Sequence, residues 1–403
     1  GIPSGAGTIV ADGGKLTLGQ FRHTVSLRGK KPYERVPAPA EFSERFGQFD
    51  ADTTFWTNTT FSPDVPDVAL VARRLYRAVM GTETHGVIII DPRGIAALLP
   101  ERAEIRVPVA ATTVDRHSLA DFVYAGAYER LGGQGPRRDV LIELGERAFS
   151  EILSGGLRTE DDLLAAIRSA RAGHIRIVPL HEEERALLEA AGVTGDLEEP
   201  ESDHLLVATQ NSGGDKLDYW IQRHVEHSCR IEPAYADCSG SATFENLVPD
   251  HLTRYVAGRP YGRAHTFAEI YLPADADVTS IEIDGVPAPV FAAEQAGHFV
   301  AGLELTIPQG EVARASWSYR LPIERSYSIT ISPQPLARDA TVAVRLQAPR
   351  RWAFDGPGDR AGNEVVYEGV LDSPLRIDAQ PSGRRGIPAV WDRLVRFWRE
   401  PVF

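Results

Sequence analysis

The stretch LLVATQNSGGDKLDYWIQR, residues 205–223, divides the chain into two kinds of pattern. Before it, apolar residues recur at helical spacing between short strand-like runs. After it, the helical period disappears and apolar and polar residues alternate. Gly213 and Gly214 supply the backbone freedom that a tight turn needs, so NSGGDK reads as a hairpin turn between strands 204–210 and 217–228. A turn can also line a site, because loops carry function on a rigid scaffold. Asn211 and Lys216 flank this one. Lysine is confined to Lys15, Lys30, Lys31 and Lys216, and nearly every other cation is arginine. GC-rich coding gives that bias without a role for any lysine. The other reading is that Lys216 supplies a compact ammonium, with Asn211, to an anionic sugar or phosphate group. IVADGGKLTL at 9–18 repeats the order of apolar entry, Gly-Gly, lysine and leucine.

Working outward, the N-terminal side alternates strand and helix. GTIVADGGKLTLGQF reads as two strands around a Gly-Gly turn. DVALVARRLYRAV places Val68, Val71, Leu75 and Val79 on one helical face. GVIIID is wholly apolar until its last residue, the pattern of a strand buried on both faces. SLADFVYAGAYERLGG and DVLIELGERAFSEILSGG read as helices closed by glycines. TEDDLLAAIRSAR opens on a capping-box pair, Thr159 and Asp162. The expectation is an α/β domain over 1–215, a mixed sheet with flanking helices. On the C-terminal side, candidate strands fall at 217–231, 239–247, 265–272, 278–284, 299–307, 312–321, 326–332, 341–347 and 364–370. IDGV carries an Asp-Gly hairpin signal. These strands predict an all-β sandwich-like domain over 216–382. AVWDRLVRFWREPVF puts Trp391, Leu394, Val395 and Trp398 on one face of a terminal amphipathic helix over 383–403. Its arginine rim suits either a membrane surface or docking on its own domain.

The 403 residues carry a net charge of −13, which opposes nucleic acid as a partner. No apolar run approaches the length of roughly 18 residues that spans a bilayer. The opening GIPSGAGTIV lacks a methionine and reads as a processed or partial chain. Cys229 and Cys238 flank RIEPAYAD, a turn-like stretch. A hairpin there sets the sulfurs across from each other, which points to a disulfide and an extracytoplasmic location; two free buried cysteines are the alternative.

Candidate chemistry is sparse. GPRRDVLIEL sets Arg137 and Arg138 just before an expected helix start, where free N–H groups and guanidinium forks suit phosphate. A solvated arginine pair with Asp139 as the cap is the other reading. Asp91 ends the strand GVIIID, at the strand end where α/β sheets bind ligands. Asp-Pro-Arg-Gly is also a plain helix start. Asp64 and Asp67 in SPDVPD share that ambiguity. Asp91 and Asp64 are the candidate catalytic carboxylates. His224 and His227 point to opposite faces of a strand. No Cys/His run has zinc spacing, and no Walker loop or Gly-x-Ser-x-Gly elbow is present.

GIPSGAGTIVADGGKLTL, FSPDVPDVALVARRLY, HGVIIIDPRGIAALL, VATQNSGGDKLDYWIQR, FENLVPDHLTRYVAG and IYLPADADVTSIEIDG, in that order, resemble the bacterial domain-of-unknown-function family 4012. The resemblance implies an envelope protein with an upstream membrane anchor, acting among polysaccharide-assembly functions. The α/β part is more distantly similar to the LytR–CpsA–Psr family. That likeness implies transfer of a glycopolymer from a polyprenyl-pyrophosphate carrier, with arginines on the phosphates and Mg2+ on a carboxylate cluster. IIIDPRG holds a Pro-Arg outside that family's Ser-Ile-Pro-Arg-Asp setting, and LLPERAEIRVPV stands in place of its Gly-Gly-Val. A non-catalytic module that binds polysaccharide or an assembly partner is the alternative function.

Overall fold

The computed structural model describes residues 3–29, 33–131, 133–157 and 159–382. The expected terminal helix over 383–403 lies outside the described residues. A mixed α/β region with helices is followed by a large β-rich region of two sheets.

The eight-stranded sheet runs from Val286–Pro287 through Asp277–Ile283, Val312–Pro322, Tyr235–Asn246, Ile221–Ile231, Thr341–Gln347 and Glu364–Val370 to Asp359–Ala361. The seven-stranded sheet runs from Phe291–Gln295 through His298–Ile307, Ala264–Pro273, Asp203–Asn211, Tyr327–Ser332 and Leu375–Pro381 to Trp352–Asp355. Strict alternation builds them. Along Ile221–Ile231, Arg223, Val225, His227, Cys229 and Ile231 are buried while Glu226, Ser228 and Arg230 face solvent. Val225, Phe244, Leu303, Trp317, Ile329 and Val342 belong to one continuous core. Burying each such side chain contributes about 1.5–3 kcal/mol. Gly240 lies opposite Trp317 across the strands, and a Cβ there would sit 2.7 Å from the indole, so this approach requires glycine. The Asp284-Gly285 turn joins Ile283 to Val286 as the IDGV signal predicts.

NSGGDK is a turn of another kind. Asp203–Asn211 pairs with Ala264–Pro273 and Tyr327–Ser332, whereas Ile221–Ile231 pairs with Tyr235–Asn246 and Thr341–Gln347. The two runs lie in different sheets, so the segment carries the chain across the sandwich and is not a hairpin. The glycine signal reports positive φ, which Gly214 adopts at 67°, and is blind to which strands then pair. Strand Asp203–Asn211, expected within the α/β part, therefore hydrogen-bonds inside the seven-stranded sheet. It is buried on both faces: Leu205 and Val207 enter the sandwich core, while Leu206 and Ala208 pack outward with Tyr271, Val300 and Leu197.

The N-terminal region covers that second face. Helix Ala40–Phe46 sends Arg45 to Glu269, Gln295 and the Tyr271 hydroxyl. Helix Val65–Met80 buries Val68, Val71 and Leu75 on the expected face. Helix Glu160–Arg171 has the expected reciprocal cap between Thr159 and Asp162. Among the described residues the strands here form two-stranded pairs and no extended sheet. Gly86–Ile90 pairs only with Ile175–Pro179, antiparallel, and Ile88 is 49% exposed, so GVIIID is a half-covered strand and not one buried on both faces. The helix beginning after Ser118 widens to a π-turn at Phe122–Gly126.

Candidate functional site

Asp91 sits where strand Gly86–Ile90 meets helix Pro92–Leu98. Its Oδ1 accepts the Gly94 N–H at 2.9 Å, a helix cap, and its Oδ2 lies 2.6 Å from His174 Nδ1. Both readings of DPRG thus hold at once: a helix start, and a carboxylate facing another chemical group. The carboxylate orients the imidazole through Nδ1. Nε2 is buried without a partner. Two residues after Asp91, in the first turn of the same helix, Arg93 makes a bidentate pair with Asp339 at 2.5 and 2.9 Å and reaches the Leu336 carbonyl. The hydrogen bond to Asp339 raises its pKa and more than offsets the cost of burial.

The π-turn aims Tyr124 at this corner. Burial, then the Asp91 charge, pushes its hydroxyl pKa upward, so it stays a neutral donor. Its ring lies 6.0 Å from Tyr219, whose hydroxyl donates to Asp121 and whose face carries Arg338 at 4.8 Å. One turn further, Tyr128 stacks toward Tyr255 with centroids 6.2 Å apart. Arg137 lies against both rings, its guanidinium 4.3 Å from Tyr128 and 4.7 Å from Tyr255. A seam of tyrosines and arginines thus joins the α/β region to the sandwich.

The helix that carries Arg137 and Arg138 begins at Gln134, earlier than expected, so both lie inside it and not before its first turn. Arg137 is 8% exposed and engaged by its two rings. Arg138 faces elsewhere: with burial, its charge lowers the His23 pKa. Asp64 stands at the N-cap position of helix Val65–Met80 without a side-chain capping bond, and its carboxylate accepts the Leu197 N–H at 3.1 Å. Burial raises its pKa to about 6, with Asp67 and Asp196 adding to the effect. It shares no hydrogen-bond partner with Asp91. A Mg2+ cage needs several converging oxygens. Among the described residues, the only group of three or more side chains placed to share an ion is Asp203, His227, Cys229 and Cys238. Neither Asp64 nor Asp91 belongs to it, so these carboxylates do not fit a Mg2+ cluster.

Asn211 organises the crossing turn. Its Oδ1 accepts from Gly213 and Gly214, and its amide donates to Asp215 and Asp218. Lys216 is tied by its backbone N–H to the Val256 carbonyl, beside Tyr255. Its ammonium has no hydrogen-bond or ion-pair partner among the described residues. The structure therefore brings Lys216, Asn211, Arg137 and Asp91 along one seam and leaves Arg138 and Asp64 outside it. The tyrosines, Arg93, Asp339 and His174 escaped sequence reading. Only Tyr124 and Tyr128, at helical i, i+4 spacing, left a signal. The expected disulfide is present: Cys229 and Cys238 are directly opposed across the hairpin.

Residues 1–128 match the family described as "Protein of unknown function (DUF4012)". The DUF4012 match includes Asp64, Asp91 and the two seam tyrosines of the π-turn helix; Arg137, Asn211, Lys216 and the disulfide lie beyond it. No curated protein matches the chain. Among solved structures, leukotriene A4 hydrolase from Saccharomyces cerevisiae is similar at 11% identity and a TM-score of 0.26, over 40% of this chain and 28% of that one. An M1 zinc metallopeptidase from Deinococcus radiodurans gives 13% and 0.25, over 40% and 42%. A putative nutrient binding protein from Legionella pneumophila gives 8% and 0.29, over 49% and 75%. The chain thus spans about a quarter of the yeast hydrolase, and likenesses this slight carry no argument about fold or activity.

Proposed function

We propose that this is an extracytoplasmic envelope protein of polysaccharide assembly, and that it works as a non-catalytic module binding an anionic polysaccharide along the seam. The observation that carries this reading is the division of labour among the cations. Of the two arginines that the transferase reading sets on the phosphates, Arg137 is engaged by aromatic rings and Arg138 lies outside the seam, while Arg93 is paired with Asp339. The Lys216 ammonium makes no hydrogen bond or salt bridge among the described residues, and its backbone N–H ties it to Val256, the neighbour in sequence of Tyr255, which is 46% exposed. Aromatic faces, an ammonium and an amide along one seam suit sugar rings that carry carboxylates or phosphates. The buried disulfide supports an oxidising compartment. Among the described residues no helix is long and apolar enough to cross a membrane, so tethering would fall to an anchor or the terminal segment.

The Asp91–His174 pair favours a second reading, transfer of a glycopolymer from a lipid-linked pyrophosphate, because a carboxylate-oriented imidazole is a general base. Its free nitrogen is sealed from solvent, which weighs against that use. The two readings separate in one experiment. The protein is titrated with polygalacturonate oligosaccharides and, in parallel, incubated with a polyprenyl-pyrophosphate-linked saccharide and Mg2+. Saturable, salt-sensitive binding without release of the lipid carrier supports the module. Carrier release that Asp91→Asn abolishes would establish the transferase.

A further inference from the structure

Away from the seam, a second polar cluster lies wholly inside the sandwich. Asp203 begins its strand in the seven-stranded sheet, while His227, Cys229 and Cys238 come from the hairpin of the eight-stranded sheet. The side chains of Asp203 and His227 are 0% exposed. Asp203 accepts the Tyr319 hydroxyl at 2.7 and 2.8 Å and the Tyr327 hydroxyl at 2.6 Å. His227 Nδ1 is buried with no partner, which orphans a polar group in the core. Its Nε2 lies 3.6 Å from Asp203 Oδ2 and 3.0 Å from Cys229 Sγ. Asp203 Oδ2 is 3.8 Å from Cys229 Sγ and 3.6 Å from Cys238 Sγ.

These spans have a chemical meaning. Zinc holds nitrogen, oxygen and sulfur at about 2.0–2.3 Å in a tetrahedron, which separates neighbouring donors by roughly 3.3–3.8 Å. The Asp203 oxygen already stands at those separations from both sulfurs and from the His227 nitrogen, whereas the two sulfurs are bonded to each other and reach them only once that bond is broken. The two tyrosine hydroxyls would remain on Asp203 as the outer partners that orient a metal-binding carboxylate.

We propose that, once the Cys229–Cys238 disulfide is reduced, Asp203, His227, Cys229 and Cys238 form a tetrahedral Zn2+ site. This end of the sandwich is then held by a disulfide under oxidising conditions and by a metal under reducing ones. The chemistry balances. A dithiol donates two electrons and two protons to the S–S bond, giving two cysteine thiols and its own disulfide. Zn2+ then displaces the two thiol protons to solvent. Breaking the bond frees each Sγ to turn about its Cα–Cβ axis toward the metal. The two clamps differ in reach. The disulfide joins neighbouring strands of one sheet, whereas the metal, through Asp203, joins the two sheets. The site escapes sequence reading because Asp203 stands 24 residues before His227 and the cysteines lack zinc-finger spacing.

The test uses the whole chain and Co2+ as the probe. Protein reduced with dithiothreitol and freed of it under argon is titrated beside the oxidised form. One Co2+ per chain, with a thiolate charge-transfer band, tetrahedral d–d bands and a raised melting temperature, is expected of the reduced protein only. Zn2+ should displace it. Asp203→Asn and His227→Gln should each weaken binding by about tenfold or more. Reduced wild type that binds no Co2+, or binds it with no gain in melting temperature, overturns the proposal. So does binding that both variants leave unchanged, since that metal would sit on loose thiols. Should the variants fail to fold, the wild-type comparison decides alone.

Discussion

Replacing Arg137 with alanine asks whether the seam is architecture or a phosphate site. The guanidinium lies over Tyr128 at 4.3 Å and Tyr255 at 4.7 Å, and the residue is 8% exposed. A cation–π contact contributes about 0.5–1 kcal/mol at the surface and about 2 kcal/mol when desolvated. Two contacts sharing one cation add less than their sum, and the alanine also gives up the packed side-chain stem. Arg137→Ala should therefore cost about 2–3 kcal/mol. Arg137→Lys keeps the charge, loses the planar stack and should fall between. The assay is urea unfolding followed by far-ultraviolet circular dichroism, which reports the helices that Arg137 ties down. A solvated arginine kept for a ligand behaves otherwise: its removal stays within about 0.5 kcal/mol. A loss that small, together with abolished binding of an anionic ligand, would refute the structural role of the clamp.

Asp64→Asn should stabilise the protein at pH 7 and not at pH 3.5. The folded carboxyl titrates at about 6 and the unfolded one near 3.8, so the folded state holds the extra proton between them and stability falls as pH rises through that window. After solvent screening the gain at pH 7 should be about 1–2 kcal/mol, read as the difference between melting curves at the two pH values. The buried pair His204 and His298, 2.8 Å apart, acts in the opposite sense. Burial lowers the His204 pKa to about 3, so its contribution is intact above 6.5 and is lost as pH falls toward 3. His204→Gln should flatten that acid limb, and an unchanged limb would show that another group drives it. Asn211→Ala removes four hydrogen bonds from the crossing turn and leaves buried Asp215 with the Leu217 N–H but without the Asn211 amide. It should cost about 2 kcal/mol in chemical denaturation, and a cost within error would mean that the glycines alone hold the turn.

The sandwich was largely legible, because inward and outward residues alternate without interruption along strands such as Ile221–Ile231. Leu375–Pro381 escaped notice although Leu375, Ile377 and Ala379 alternate inward, since Asp and Pro around them carry a turn signal. The disulfide was legible because strand register is local: nine residues and one turn place the sulfurs opposite each other. NSGGDK was misread because local turn chemistry cannot say whether the next strand joins the same sheet. The seam was the least visible feature. Arg137 looked like a helix-start arginine, and nothing near it in sequence reveals that Tyr255, more than a hundred residues away, closes over it. Asp91 looked ambiguous and is so in fact, capping a helix with one oxygen and facing His174 with the other.

The central claim is that Lys216 and the tyrosines of the seam receive an anionic sugar without transforming it. Calorimetric titration of polygalacturonate oligosaccharides into wild type and Lys216→Met tests it most directly. An exposed ion pair contributes up to about 1 kcal/mol, so the variant should bind up to about fivefold more weakly, with an unchanged melting temperature and a weaker dependence on salt. Equal affinity and equal salt dependence in the two proteins would contradict the account.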